Sequence, residues 1–268
     1  MNNKNNYAEL ERELEQIKPG SAPYVERNRG YITASKLKCF ENDPYTYKLK
    51  YVDEIPEPYA KEKDYFIVGQ AFDDLLTEGK KWFDKNYEVV ARRSSKAELT
   101  QLTNGQGELI TAMQSEFKAQ SLYNQTPKKK VFIIDYKGYK VKVELDNYVE
   151  DTREIRDIKT CANVNRVDLD MYLLQATLYD MVAEMRTDEK HKVYFEFVDK
   201  QLPSRSMPIH FHPDTLRGNR AHVWRLLDDL IEAHEIDLFI PTSDQAKMYE
   251  SPYYGYNGYG RPTQYLIY

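Results

Sequence analysis

Cysteine is almost missing from this chain, with two in 268 residues, Cys39 and Cys161. Two cysteines cannot build a disulfide framework, and they point to a reducing compartment. Four-cysteine iron–sulfur ligation is excluded on the same count. Long apolar runs are also absent, since none approaches the roughly 20 residues a membrane-spanning helix needs. The opening MNNKNNYAELERELEQ has no apolar segment of the kind a signal peptide carries. A cytoplasmic protein with no membrane partner is expected. There is no HExxH, nucleophile elbow, phosphate-cradling glycine loop or internal repeat. Positive charge is in deficit too, the net being -5 at pH 7.

What is present is unevenly placed. Residues 79–96 carry Lys80, Lys81, Lys85, Arg92, Arg93 and Lys96 against Asp84 and Glu88. Residues 127–142 carry Lys128, Lys129, Lys130, Lys137, Lys140 and Lys142 against Asp135. The remainder is strongly acidic, a distribution that fits a cationic groove beside an acidic site as well as it fits solvated loops.

The stretch VELDNYVEDTREIRDIKTC reads as a hairpin. Val141, Val143, Leu145 and Val149 alternate with Lys142, Glu144, Asp146 and Tyr148, the period of a strand with one buried face. A second strand starts near Glu154, and a turn at Glu150–Arg153 would set Asp146 opposite Asp157 and Leu145 opposite Ile158. Directly opposed carboxylates repel unless something offsets them, and a divalent cation would. Asp157 and Lys159 project from one face of their strand. An alternative is a solvated acidic hairpin in which Glu144 pairs with Lys159.

Other elements follow from periodicity and punctuation. Residues 1–30 read as a polar arm with a short helix over 8–17, residues 31–240 as one domain, and residues 241–268 as a Tyr- and Gly-rich tail. The tail is open to three readings: an ordered tail, a subunit contact or a stacking surface for bases. Helices are predicted over 33–51 with a break near Pro44, over 69–83, over 98–122 with a late start at Asn104-Gly105, over 168–186 and over 214–235. Strands are predicted at 131–136, 139–149, 154–161, 192–199 and 206–212, with Lys137-Gly138 as a hairpin turn. His210, His212, His222 and His234 lack zinc spacing and read as structural or surface residues. On the 168–186 helix, Tyr172, Gln175, Tyr179 and Val182 share a stripe.

Taken in order, Asp146, then Asp157-Ile158-Lys159, then Gln175-x-x-x-Tyr179 resembles the PD-(D/E)xK nuclease superfamily, in particular its RecB-type and phage recombination exonuclease branch. Upstream, Gly69-x-x-x-Asp73 stands where that branch has Gly-x-x-x-His. Ser35, Leu37, Phe40, Pro44, Tyr45 and Tyr51 echo its opening segment, with Asp43 replacing a cysteine and Val143 replacing a glycine. The resemblance implies an α/β fold with a central mixed β-sheet flanked by helices, and a metal-dependent DNA exonuclease. An endonuclease with the same site and an inactive DNA-binding scaffold are the alternatives. It implies Asp146, Asp157, Lys159, Gln175 and Tyr179 as catalytic residues. Asp73, Asp146, Asp157 and the Ile158 carbonyl would hold Mg²⁺ or Mn²⁺, an all-oxygen set suited to hard ions. Glu78 and Glu144 are the other candidates for a third acid. DNA, a single-strand annealing or other recombination protein, and a second copy of the chain are the implied partners.

Overall fold

The computed structural model describes residues 7–16, 29–55, 64–94, 97–120 and 129–240. The Tyr- and Gly-rich tail and Lys128 lie outside the described residues. The fold is α/β, and its sheet structure divides at Asp146. On one side, β1 (Tyr31–Ile32) runs parallel to β5 (Tyr139–Leu145), which pairs antiparallel with β4 (Lys130–Tyr136). On the other, β6 (Asn147–Val149), β7 (Glu154–Cys161), β8 (Lys192–Asp199) and β9 (Ser206–Phe211) form a mixed sheet in that order. The β4–β5 turn is Lys137-Gly138, both with positive φ (50° and 85°), as a two-residue hairpin of matching twist requires.

The expected single strand over 139–149 is therefore two strands. Its register is nonetheless the expected one, with Asn147 opposite Arg156 and Val149 opposite Glu154. The ladder stops there, so neither Asp146 and Asp157 nor Leu145 and Ile158 are the strand partners expected. Leu145 belongs to the larger core and Ile158 to a second one, on opposite faces of the structure around β7.

Those two cores explain the layers. The parallel pair β7–β8 is covered on both faces, as parallel strands generally are. One face packs Ile155, Phe195 and Phe197 under helices α7 (Asp170–Thr187) and α8 (Pro213–Glu235). The other presents Ile158 and Val198 to α4 (Asp64–Thr77) and α6 (Asn104–Gln120). Before them come α1 (Ala8–Glu15), α2 (Ala34–Asn42) and the short α3 (Pro44–Tyr47). Thr33 caps α2, and Asp43 caps α3 by accepting from Tyr45 N and Thr46 N, each at 3.1 Å. Asp43 is thus a structural cap.

Several expectations need correcting. The predicted helix over 69–83 is two helices, α4 and α5 (Lys80–Asn86), because Gly79 turns the chain at φ 82°. Strands β2 (Tyr87–Val90) and β3 (Thr100–Thr103) form a parallel pair that was not foreseen, and β3 occupies the start of the region assigned to the helix over 98–122. That helix does start late, at Asn104. Thr103 and Gln106 cap it reciprocally, Gln106 N donating to Thr103 Oγ1 at 3.4 Å and Thr103 N to Gln106 Oε1 at 2.8 Å. Four of the five histidines, those read above as lacking zinc spacing, have structural partners: His210 stacks on Tyr194, His212 caps α8, His222 meets Glu41 and His234 meets Tyr47. No helix among the described residues is long and apolar enough to cross a membrane.

Helix α1 lies along β4. The buried Glu11 accepts from Ile133 N at 2.8 Å and from Arg186 Nε and Nη2, both at 2.8 Å, and Glu15 accepts from Val131 N at 3.2 Å. Removing one partner of a buried, hydrogen-bonded ion pair typically costs about 3 kcal/mol or more. Glu11→Ala is therefore expected to lower the denaturation midpoint and to speed hydrogen exchange at the Ile133 amide. An unchanged midpoint would show that α1 adds nothing to the stability of the sheet.

Candidate active site

Alternation along β7 sends Asp157 and Lys159 to one face and Ile158 to the other. Asp157 is 1% exposed. Its Oδ1 accepts from Gln175 Nε2 at 3.3 Å and from the Tyr179 hydroxyl at 3.2 Å, while Gln175 Nε2 also donates to the Tyr179 oxygen at 2.6 Å. Gln175 and Tyr179 sit one turn apart on α7, so a single helix face clamps one oxygen of the carboxylate. The other oxygen, Oδ2, has the Lys159 ammonium beside it as an ion pair but no donor in hydrogen-bonding geometry. Lys159 in turn rests over the Phe195 ring, 5.5 Å from its centroid.

Asp146 occupies the bend between β5 and β6. Its Oδ2 accepts from Ile158 N at 2.9 Å, so the side chain takes the place a backbone carbonyl would hold in the next rung. The structure thus brings Asp146, Asp157, Lys159, Gln175 and Tyr179 together. Glu144 is elsewhere occupied, paired with Lys129 and, at 3.2 Å, with Lys142. A Glu144–Lys159 pair on a solvated hairpin is overturned. Glu78, the other candidate acid, is exposed beyond the end of α4.

Asp73 and Asp74 divide their roles on α4. Asp74 is 3% exposed and satisfied by Gln70 Nε2 at 3.1 Å and the Tyr87 hydroxyl at 2.6 Å. Asp73 feels the active carboxylates. Burial, then Asp74 and Asp157, push its carboxyl up to about 6. Gly69, one turn earlier, explains how the helix comes so close, because a Cβ there would lie 2.9 Å from Thr160 Oγ1 on β7. Sequence reading found Gly69 only as a motif position. The Asp74–Tyr87 contact was not foreseen, and no local signal links residues on a helix and a strand 13 apart.

The electrostatics are strained. Burial raises the Asp146 carboxyl well above its ordinary value, and Asp157 and Asp73 add to the rise. Burial opposes charge on Lys159, but Asp157 and Asp146 outweigh it and hold the ammonium above the usual lysine value. Burial followed by Asp157 and Asp146 keeps the Tyr179 phenol protonated, as a donor must be. A divalent cation fits this set. Two carboxylates, Asp146 and Asp157, with the Lys159 ammonium beside Asp157, offer the hard, partial coordination that Mg²⁺ takes when water and phosphate oxygens complete its shell. Among the described residues no three His, Cys, Asp or Glu side chains form a ready-made ligand cluster, so Asp73 is not drawn together with Asp146 and Asp157 into one.

Among the described residues of the 127–142 segment, most of the lysines are paired or buried, while Lys140 is exposed. Lys129 is paired with Glu144, Lys130 with Glu15 at 3.1 Å and Lys137 with Asp228 at 2.6 Å, while Lys142 is 1% exposed. Their partners come from α1, β5 and α8, which strand periodicity could not reveal. In the other segment Lys80 pairs with Asp84, while Lys81, Lys85 and Arg92 are exposed.

A family model described as a PDDEXK-like domain of unknown function (DUF3799) matches residues 33–249. Among solved structures, one described as a "putative exonuclease" from Eubacterium rectale superposes with a TM-score of 0.66 at 16% identity, covering 84% of this chain and 89% of the other. That likeness is one of fold. Another, described as SSO0001, has a TM-score of 0.40 at 16% identity, with 83% and 81% covered. No curated protein sequence matches the chain.

Folding raises the Asp73 carboxyl from 3.8 to about 6, so the folded protein holds a proton that the unfolded chain gives up. Its contribution to stability is present at acid pH and is lost as pH rises through that window. The metal-free protein should therefore melt lower at pH 7 than Asp73→Asn does, with the difference vanishing near pH 4. Equal melting temperatures at pH 7 would show that Asp73 does not share the carboxylates' repulsion.

Proposed function

The chain belongs to the PDDEXK-like family, and from that membership and the carboxylate pair beside Lys159 we propose that it is a divalent-metal-dependent DNA nuclease. We further propose that it is an exonuclease that hydrolyses phosphodiester bonds from DNA ends in recombination or repair. The observation that carries the reading is Asp157, clamped on one oxygen by Gln175 and Tyr179 and facing Lys159 with the other. The order of motifs in the sequence and the fold shared with the Eubacterium rectale protein favour the exonuclease form.

On this reading Asp146, Asp157, Asp73 and the Ile158 carbonyl would hold Mg²⁺ or Mn²⁺, which when bound polarises the scissile phosphate and makes its water more acidic. The protein's own groups do the rest. Gln175 and Tyr179 fix the Asp157 carboxylate, and Ile158 N fixes that of Asp146, so neither has to reorganise when substrate arrives. Lys159, held as an ammonium by both acids, orients the attacking water and neutralises charge that develops on the phosphate oxygens.

Linear, nicked and covalently closed DNA incubated with Mg²⁺ separates the alternatives. Loss of linear DNA alone is expected, whereas cutting of closed circles would make the protein an endonuclease, and binding without cutting would make it a scaffold. Asp157→Ala and Lys159→Ala should each lower turnover by about 10²-fold or more, the scale seen when a preorganised charge-stabilising group is removed. Retention of near wild-type turnover by either variant would sink the assignment.

A further inference from the structure

The helix face that carries Gln175 and Tyr179 begins one turn earlier, at Tyr172. Its ring stands edge-on to Phe197 at 5.0 Å and to Phe195 at 6.0 Å. In the β7–β8 register those two are the partners of Lys159 and Asp157. Tyr172 therefore stands over the same sheet face as the two charged groups. The Lys38 ammonium lies 5.8 Å from its ring centroid and donates to the Met171 carbonyl at 2.6 Å, which ties the start of α7 to α2.

The two tyrosines of this face differ in how they use their hydroxyls. Tyr179 is 6% exposed and donates a hydrogen bond to Asp157. Tyr172 is half-buried, and its hydroxyl makes no hydrogen bond to any described residue. A tyrosine with its ring in an aromatic cluster normally finds a partner for its O–H, and a phenylalanine would serve the packing equally well. The phenol is also in electrostatic contact with the site. Burial raises its pKa, Lys159 draws it down and Asp157 raises it again, which leaves a protonated donor at neutral pH.

We propose that the Tyr172 hydroxyl is a substrate contact, donating a hydrogen bond to a phosphodiester oxygen of the strand bound at Asp157 and Lys159. This rests on the nucleic-acid reading of the site. The contact is made to a charged oxygen and is present in the bound ground state, so its loss weakens binding and KM more than kcat.

The test compares wild type with Tyr172→Phe, which keeps the ring and removes the donor. Binding of a short fluorescein-labelled linear duplex is followed by anisotropy with Ca²⁺ in place of Mg²⁺, and cleavage with Mg²⁺ gives KM and kcat. Tyr172→Phe should keep the wild-type melting temperature and raise Kd and KM roughly tenfold, as loss of a hydrogen bond to a charged group does. Duplexes carrying one neutral methylphosphonate at successive positions supply the second readout. One position should weaken wild type but not further weaken Tyr172→Phe.

Unchanged Kd and KM in the variant would overturn the proposal and leave Tyr172 a packing residue. So would a loss of affinity spread evenly over the methylphosphonate series. If wild type binds DNA without cutting it, the nuclease reading falls and the anisotropy series alone decides on Tyr172. A wild type that neither binds nor cuts removes both.

Discussion

Repulsion between two carboxylates, Asp146 and Asp157, is the constraint around which this molecule is arranged. Left in one regular ladder, the two would face each other across a hairpin. Instead the chain bends at Asp146, and that side chain bonds the Ile158 amide. The sheets divide at this same residue, so the two carboxylates are not set in one ladder. Lys159 on the same strand pairs with Asp157, and Gln175 and Tyr179 on the helix above donate to it, so the carboxylate is held from both sides in a nearly dry position.

A site under such strain needs a rigid frame, and the two cores provide it. Phe195 and Phe197 support β7 from one side, while Ile158, Val198 and Phe72 fill the other. Neither face of β7 can shift without disturbing a packed layer. Gly69 belongs to the same argument. Only a residue without a Cβ lets α4 settle against Thr160, and that approach brings Asp73 into the field of the other acids.

The central part of the site was legible in the sequence because its spacing is set by local geometry: alternate residues on a strand, and residues four apart on a helix. Asp157, Lys159, Gln175 and Tyr179 are where those periods put them. The register of β6 on β7 could also be read, because a short turn fixes it. The bend at Asp146 was hidden, since the apolar alternation runs through it without a break. Lys142 was misread as a solvent-facing strand position, because its burial depends on Tyr31 and Glu144 and on a β1 strand over 100 residues away. Charge counts could not show the pairing of Lys130 and Lys137 for the same reason: the acids that meet them are Glu15 and Asp228, one near each end of the described chain. The Thr103-x-x-Gln106 pattern is a capping signature that marks the helix start in the sequence itself.

The contact between α1 and β4 has a consequence beyond its own energy. Strand β4 is an outer strand, and two of its outward amides are taken by the carboxylates of Glu11 and Glu15. An unpaired strand margin is a template on which another chain can add itself. Here acidic side chains on a helix stand in for the missing neighbour, and they repel a strand rather than invite one. A shortened chain beginning after α1 would keep every residue of the Asp157 clamp and yet carry an open margin, so its failure would show as self-association and precipitation before any loss of chemistry.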